Sequence, residues 1–174
     1  KRKDINDLRV LILDRPRNKP YIDEVRKAGA RISLIRDGDV AGAIATAQNE
    51  TAADILMGIG GSPEAVLAAA ALLCMGGEQQ CRLWPRDESE ERYAREEGLD
   101  LDEVMTATDM VSSDNVFFAA TGVTGGEYLR SVEFRGEKVV THSVIMRSKT
   151  GSIRYMDAFH DLERLRKISA STLD

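Results

Sequence analysis

The chain has 174 residues, long enough for one packed core and short for two, and its 24 basic and 29 acidic residues leave a formal net charge of −5. With no basic stripe interleaved with aromatics it is a poor nucleic-acid ligand, and its apolar runs break off well before the ~20 residues a membrane span needs. Cys74 and Cys81 have no second pair to complete a metal spacing and no signal peptide is recognisable, so buried reduced thiols and a cytoplasmic setting are expected.

Three strand-to-helix units follow one another from Leu8. Strand 9–13 leads to a helix over 20–28 closed by Gly29, strand 31–35 to a helix over 40–48, and strand 53–57 to a helix over 63–75 closed by Gly76 and Gly77. Apolar strands alternating with helices predict a parallel sheet covered on both faces. A short strand over 81–84 follows. Residues 86–97 carry opposite charges at helical separations and stop at Gly98, the pattern of a solvated helix. Beyond it lie a short strand over 103–106, a helical turn over 109–111 and the apolar strand 116–120.

The last third alternates apolar and polar residues. Strands over 128–134, 139–146 and 152–159, joined by turns at 135–138 and 148–151, predict an antiparallel meander. From Asp161 the chain reads as a short charged helix or a frayed end. The expected fold class is therefore α/β, with a parallel-to-mixed sheet, helices on both faces and a C-terminal antiparallel meander, residues 1–174 forming a single domain. Asn49-Glu-Thr51 matches a glycosylation sequon, which is read as coincidence. The opening Lys1-Arg-Lys3, with a strand inside the first ten residues, reads as the middle of a longer polypeptide.

Chemistry concentrates at strand ends. In Gly58-Ile-Gly-Gly-Ser-Pro-Glu64 a strand runs through a glycine-rich turn into a helix, aiming backbone N–H groups and one carboxylate at one spot. Amides at a helix start suit phosphate and a carboxylate suits Mg²⁺ or Mn²⁺. The same residues also spell an ordinary helix start, with Ser62 as N-cap, Pro63 at the first helical position and Glu64 in the first turn. Three further loops follow strands: Asp14-Arg-Pro-Arg17, Asp37-Gly-Asp39 and Thr121-Gly-Val-Thr-Gly-Gly126. Ligands of open α/β sheets bind outside the carboxyl ends of the strands, where all four loops are expected. Asp37-Gly-Asp39 is equally composed for a tight turn, Arg15 and Arg17 for a solvated loop tip, and the glycines after Thr121 for turn geometry alone. A Rossmann-type dinucleotide fold is a third alternative, but its fingerprint is incomplete, because Pro63 stands where the third glycine belongs. His142 and His160 fall on strands without ligand-type neighbours and are assigned to structure; the methionines and Trp84 are assigned to the core.

In chain order, Asp14-Arg-Pro-Arg17, Asp37-Gly-Asp-Val40, Gly58-Ile-Gly-Gly-Ser-Pro-Glu64, Ala119-Ala-Thr-Gly122 and Thr141-His-Ser-Val-Ile-Met-Arg147 resemble the C-terminal half of class II fructose-1,6-bisphosphatase, the GlpX type, over nearly the whole chain. The resemblance implies half of a lithium-sensitive phosphatase fold of stacked sheets and helix layers. It implies removal of the 1-phosphate of fructose 1,6-bisphosphate with Mn²⁺ or Mg²⁺ in gluconeogenesis, some relatives also accepting sedoheptulose 1,7-bisphosphate. Carried over by position, it makes Glu64 a metal ligand and Gly61 a backbone contact to substrate. Asp37, Gly38 and Asp39 become sugar contacts, and Arg15, Pro16 and Arg17 the grip on the distal phosphate, which a bidentate guanidinium can hold without cleaving. The family's glycine after the metal-binding glutamate is Ala65 here. The N-terminal half, which supplies the other metal carboxylates, is a further implied partner, so this chain alone is expected to be inactive, and a homo-oligomer is expected of the whole. Apart from the resemblance, a non-catalytic module that binds a sugar phosphate or nucleotide through the same loops stays open.

Overall fold

Alternate side chains of a strand point to opposite faces, so a five-residue apolar strand can feed two cores at once. Strand β1 (Arg9–Leu13) does this in the structure, a computed structural model that describes residues 2–48, 53–126 and 128–171. Its Val10 and Ile12 pack on Ile22 and Val25 of helix α1 (Lys19–Ala28). On the opposite face lies helix α2 (Asp39–Ala47), where a methyl on Gly42 would already touch Leu11, Ile35 and Leu56. Strands β2 (Arg31–Ile35) and β3 (Ile55–Met57) flank β1, both parallel to it, in register Arg9↔Arg31 and Val10↔Ile55. The buried Asp54 carboxylate fixes the entry to β3, accepting 2.9 Å from the Arg9 N–H and 2.8 Å from Lys3 Nζ.

Helix α3 (Ser62–Met75) packs on α2 through Ala43, Ala68 and Leu72, the two alanines letting the helices lie close. Its far side carries Ala71 and Cys74, which with Ile44 meet Phe118, Val144 and Met146 of a second, antiparallel sheet. In that sheet β8 (Lys138–Arg147) pairs along one whole edge with β9 (Ser152–Asp161). Its other edge takes β6 (Phe117–Thr121) and then β7 (Glu133–Arg135). The order of packing is thus α1, parallel sheet, α2 with α3, antiparallel sheet. A third, two-stranded sheet joins β4 (Gln80–Cys81) to β5 (Met105–Thr106). Helices α4 (Glu88–Glu96), α5 (Ala107–Met110) and α6 (Leu162–Ser171) complete the chain. Among the described residues no helix is long and apolar enough to cross a membrane.

The three βα units form as expected, and Gly29 and Gly76 end their helices in the left-handed conformation, φ +91° and +70°. Among the described residues the expected sheet forms as a wholly parallel one. The parallel sheet has three strands, and the apolar strand expected over 116–120 pairs antiparallel with β8 instead, because nothing in a short apolar run specifies its neighbour. The strand expected over 128–134 shrinks to β7. Strands expected over 81–84 and 103–106 shrink to two residues each, which suffice only to pair with one another. Met57, Trp84 and Met156 are 38%, 45% and 47% exposed and so do not belong to the core, whereas Met146 is fully buried. Cys74 is buried and Cys81 half-buried, both free thiols. Asn49 and Thr51 of the sequon lie outside the described residues.

Candidate active site

Because β2, β1 and β3 run parallel side by side, the loops that leave their carboxyl ends emerge along one edge. Asp14, which begins the first loop, donates its backbone N–H to the Ile35 carbonyl at 2.8 Å, binding that loop to the end of β2. The chain then enters a 3-10 turn, Pro16–Asn18, where proline's fixed φ suits the start of the helical run. Arg17 Nε donates 2.9 Å to the carbonyl of Ile59, in the loop after β3. The terminal guanidinium nitrogens of Arg17 have no protein partner among the described residues, as a phosphate fork requires. Arg15 is exposed and spends one nitrogen on the Asp14 carbonyl, 2.9 Å away.

The second loop turns through Gly38, whose φ of +79° favours glycine, into the N-terminus of α2. Asp37 is exposed beside it. Asp39, in the first turn of α2, accepts from the Val40 N–H at 3.1 Å through Oδ1. Its Oδ2 lies 3.1 Å from the place a Cβ on Gly60 would occupy, so the second loop touches the third.

In the third loop the first helical residue of α3 is Ser62, which makes Gly61 the N-cap and leaves the cap without a side-chain hydrogen bond. The expected Ser62 cap is thereby corrected. A helix start without a capping side chain keeps its amides for another acceptor. Glu64, in the first turn, folds back so that Oε2 sits 2.1 Å from the position of a Cβ on Gly61. Its carboxylate is exposed and makes no hydrogen bond or ion pair with the described residues. An unpaired carboxylate at a helix N-terminus is a hard oxygen donor, which fits Mg²⁺ or Mn²⁺ and not a thiol-loving ion. Among the described residues no three His, Cys, Asp or Glu side chains gather to hold a metal, so Glu64 belongs to no such cluster here.

The structure therefore brings Pro16, Arg17, Asp39, Gly61 and Glu64 into one continuous group of loops, with Arg15, Asp37 and Gly38 on the same loops. The fourth expected loop makes no hydrogen bond to that group among the described residues. Residues 121–126 leave an antiparallel strand and fold on 129–132, with the Val132 N–H bonded to the Val123 carbonyl at 3.0 Å. A Cβ on Gly122 would stand 2.1 Å from the Arg130 carbonyl, so close backbone approach explains that glycine. Both histidines have structural partners: His142 Nδ1 accepts from the Arg130 N–H at 3.2 Å, and His160 Nε2 lies 3.0 Å from Thr141 Oγ1. Sequence reasoning missed Asn18, fully buried beneath the loops. The only local signal was a polar residue between Arg17 and a helix, which reads as a cap.

A protein-family model described as bacterial fructose-1,6-bisphosphatase, glpX-encoded, matches residues 1–160. Fructose-1,6-bisphosphatase class 2 of Haemophilus influenzae is 36% identical over 95% of this chain and 54% of its own length. D-fructose 1,6-bisphosphatase class 2/sedoheptulose 1,7-bisphosphatase of Synechococcus sp. (strain JA-3-3Ab) is 37% identical over 91% of this chain and 49% of its own. The chain spans about half the length of these curated relatives.

Proposed function

We propose, from the premise that this chain belongs to the family of glpX-encoded bacterial fructose-1,6-bisphosphatases, that it supplies the sugar, the distal-phosphate and one of the metal contacts of a bisphosphatase site. The reaction is hydrolysis of the 1-phosphate of fructose 1,6-bisphosphate, water entering and fructose 6-phosphate and inorganic phosphate leaving. The observation that carries the reading is the contact of all three loops: Arg17 on Ile59, Asp39 on Gly60, and Glu64 on Gly61.

The roles follow from the chemistry of each group. Arg15 and Arg17, on a backbone stiffened by Pro16, hold the phosphate that is kept. Asp37 and Asp39 accept hydrogen bonds from sugar hydroxyls, and Gly38 gives the turn that presents them. Gly61 lets substrate approach the α3 N-terminus, and Glu64 is one ligand of Mn²⁺ or Mg²⁺. When bound, such a cation neutralises charge on the departing phosphoryl group and makes water a better nucleophile.

The remaining carboxylates come from the other half of a longer polypeptide, for which residues 1–174 form one α/β domain of a layered sugar-phosphatase fold. On its own the chain is inactive. Met156 and Phe159, 47% and 64% exposed on the edge strand β9, are apolar surface for that half to cover. A cytoplasmic homo-oligomer is the setting proposed for the complete polypeptide. The stand-alone binding module is not favoured, because the matched family and both relatives are named as bisphosphatases.

The test is phosphate release from fructose 1,6-bisphosphate by the complete polypeptide, with Mn²⁺ or Mg²⁺ added. Glu64→Gln, which keeps shape and removes charge, is expected to abolish turnover in a folded protein. Unaltered metal dependence in that variant would remove Glu64 from the site.

A further inference from the structure

Asn18 has no solvent exposure at all, and a buried amide is costly unless its polar atoms are paired. Both are. Nδ2 donates 2.9 Å to the Leu13 carbonyl at the end of β1, and Oδ1 accepts 2.8 Å from the Ile59 N–H. The amide also backs directly onto Gly58, where any Cβ would stand 3.0 Å from Oδ1. Its own N–H bonds the Arg15 carbonyl at 2.9 Å, which closes the first loop over it. Ile59 is thus held twice from the first loop, by Asn18 at its N–H and by Arg17 at its carbonyl.

One residue of the third loop, Ile59, is therefore clamped between two consecutive residues of the first. The Arg17 guanidinium cannot shift without pulling on Ile59, and Ile59 stands two residues before Gly61, against which the Glu64 carboxylate folds. We infer that Asn18 is a positioning residue that locks the distal-phosphate loop to the metal-bearing loop, so that the two subsites keep one spacing. The inference rests on the bisphosphatase reading for its kinetic consequence, and on geometry alone for the lock itself. Neither subsite contains Asn18, yet both depend on it. Linkage then makes the effect reciprocal: substrate held at Arg17 favours the loop conformation that presents Glu64, and a cation at Glu64 favours the one that presents Arg17.

The experiment uses the complete polypeptide with two variants, Asn18→Leu, which keeps the volume and removes both side-chain bonds, and Asn18→Asp, which keeps the acceptor for Ile59 and loses the donor to Leu13. Hydrogen exchange of residues 58–61 reads the lock. Steady-state kinetics at several Mn²⁺ concentrations reads its consequence. Exchange in Asn18→Leu is expected to quicken, with KM for the bisphosphate and the half-activating Mn²⁺ concentration each rising about tenfold and kcat at saturation nearly kept, from the loss of buried hydrogen bonds. Asn18→Asp should fall between Asn18→Leu and the parent. A fall in melting temperature with exchange, KM and Mn²⁺ requirement all unchanged overturns the inference. If the parent releases no phosphate, the bisphosphatase reading fails while exchange still judges the lock.

Discussion

Gly61 and Glu64 share one space: the carboxylate Oε2 of Glu64 lies 2.1 Å from where a Cβ on Gly61 would be, so the glutamate adopts its folded-back position only because residue 61 has no side chain. The backbone of Gly61, at φ −79° and ψ 148°, is one that any residue accepts. Gly61→Ala should therefore fold normally while pushing the Glu64 carboxylate aside. A raised Mn²⁺ requirement with an unchanged melting temperature is the expected outcome, and an unchanged Mn²⁺ requirement would show that this carboxylate position has no part in metal binding.

Arg17 is used as a fork, with Nε spent on Ile59 and the far nitrogens left for an anion. Lysine keeps the charge and loses the geometry. Arg17→Lys in the complete polypeptide should raise KM for the bisphosphate by about tenfold or more, in line with the loss of charge-assisted hydrogen bonds of roughly 1.5–3 kcal/mol, while the half-activating Mn²⁺ concentration moves less than in Gly61→Ala. Equal KM values in parent and variant would exclude a phosphate contact.

Met146 is fully buried where α3 meets the antiparallel sheet, among Ala71, Cys74, Phe118 and Val144. Met146→Ala removes packed atoms from a region where neighbouring alanines offer little to fill the gap. A destabilisation of about 2–5 kcal/mol is expected from denaturant unfolding. A loss below about 1 kcal/mol would mean that the two layers do not pack as described.

Tyr128 packs edge-on against Tyr155, ring centres 6.3 Å apart, and its hydroxyl is buried without a hydrogen-bond partner among the described residues. Burial, with Tyr155 close by, pushes its phenol well above the ordinary tyrosine range. Below about pH 10 the phenol is protonated in both the folded and the unfolded chain, and no penalty arises. Above that pH the unfolded chain releases the proton while the folded one keeps it, so stability falls as pH rises towards the raised value. Tyr128→Phe should remove that alkaline loss and, by deleting an unpaired buried hydroxyl, gain about 1 kcal/mol at neutral pH. Stability curves that stay parallel between pH 9 and 11 would contradict the assignment.

Burial acts on Cys74 in the same physical sense. Burial raises the Cys74 thiol, against the opposing pull of a backbone hydrogen bond from Phe118. Since thiolate is the reactive form, Cys74 should resist alkylation in the folded protein at neutral pH and react only on unfolding. Labelling of Cys74 as fast as of an unfolded control would refute this.

What the sequence by itself determined is local. The period of the apolar residues in 9–75 and the glycines at helix ends dictate three βα units, because strand alternation, helix periodicity and left-handed caps are properties of a few neighbouring residues. The loops bearing Arg17, Asp39 and Glu64 follow, since parallel strands must send their carboxyl ends to one edge. What only the tertiary structure decided are pairings between distant segments. The run Phe117–Thr121 reads like another parallel strand, and only the length and pattern of β8 draw it into an antiparallel sheet, so that its glycine loop leaves an antiparallel strand. Asn18 merely precedes helix α1 in the chain, and becomes a clamp only because Ile59, 41 residues later, presents its N–H to it. Capping and periodicity are written in neighbouring side chains, whereas the choice of a hydrogen-bond partner is written in whichever backbone arrives, and no single segment encodes that.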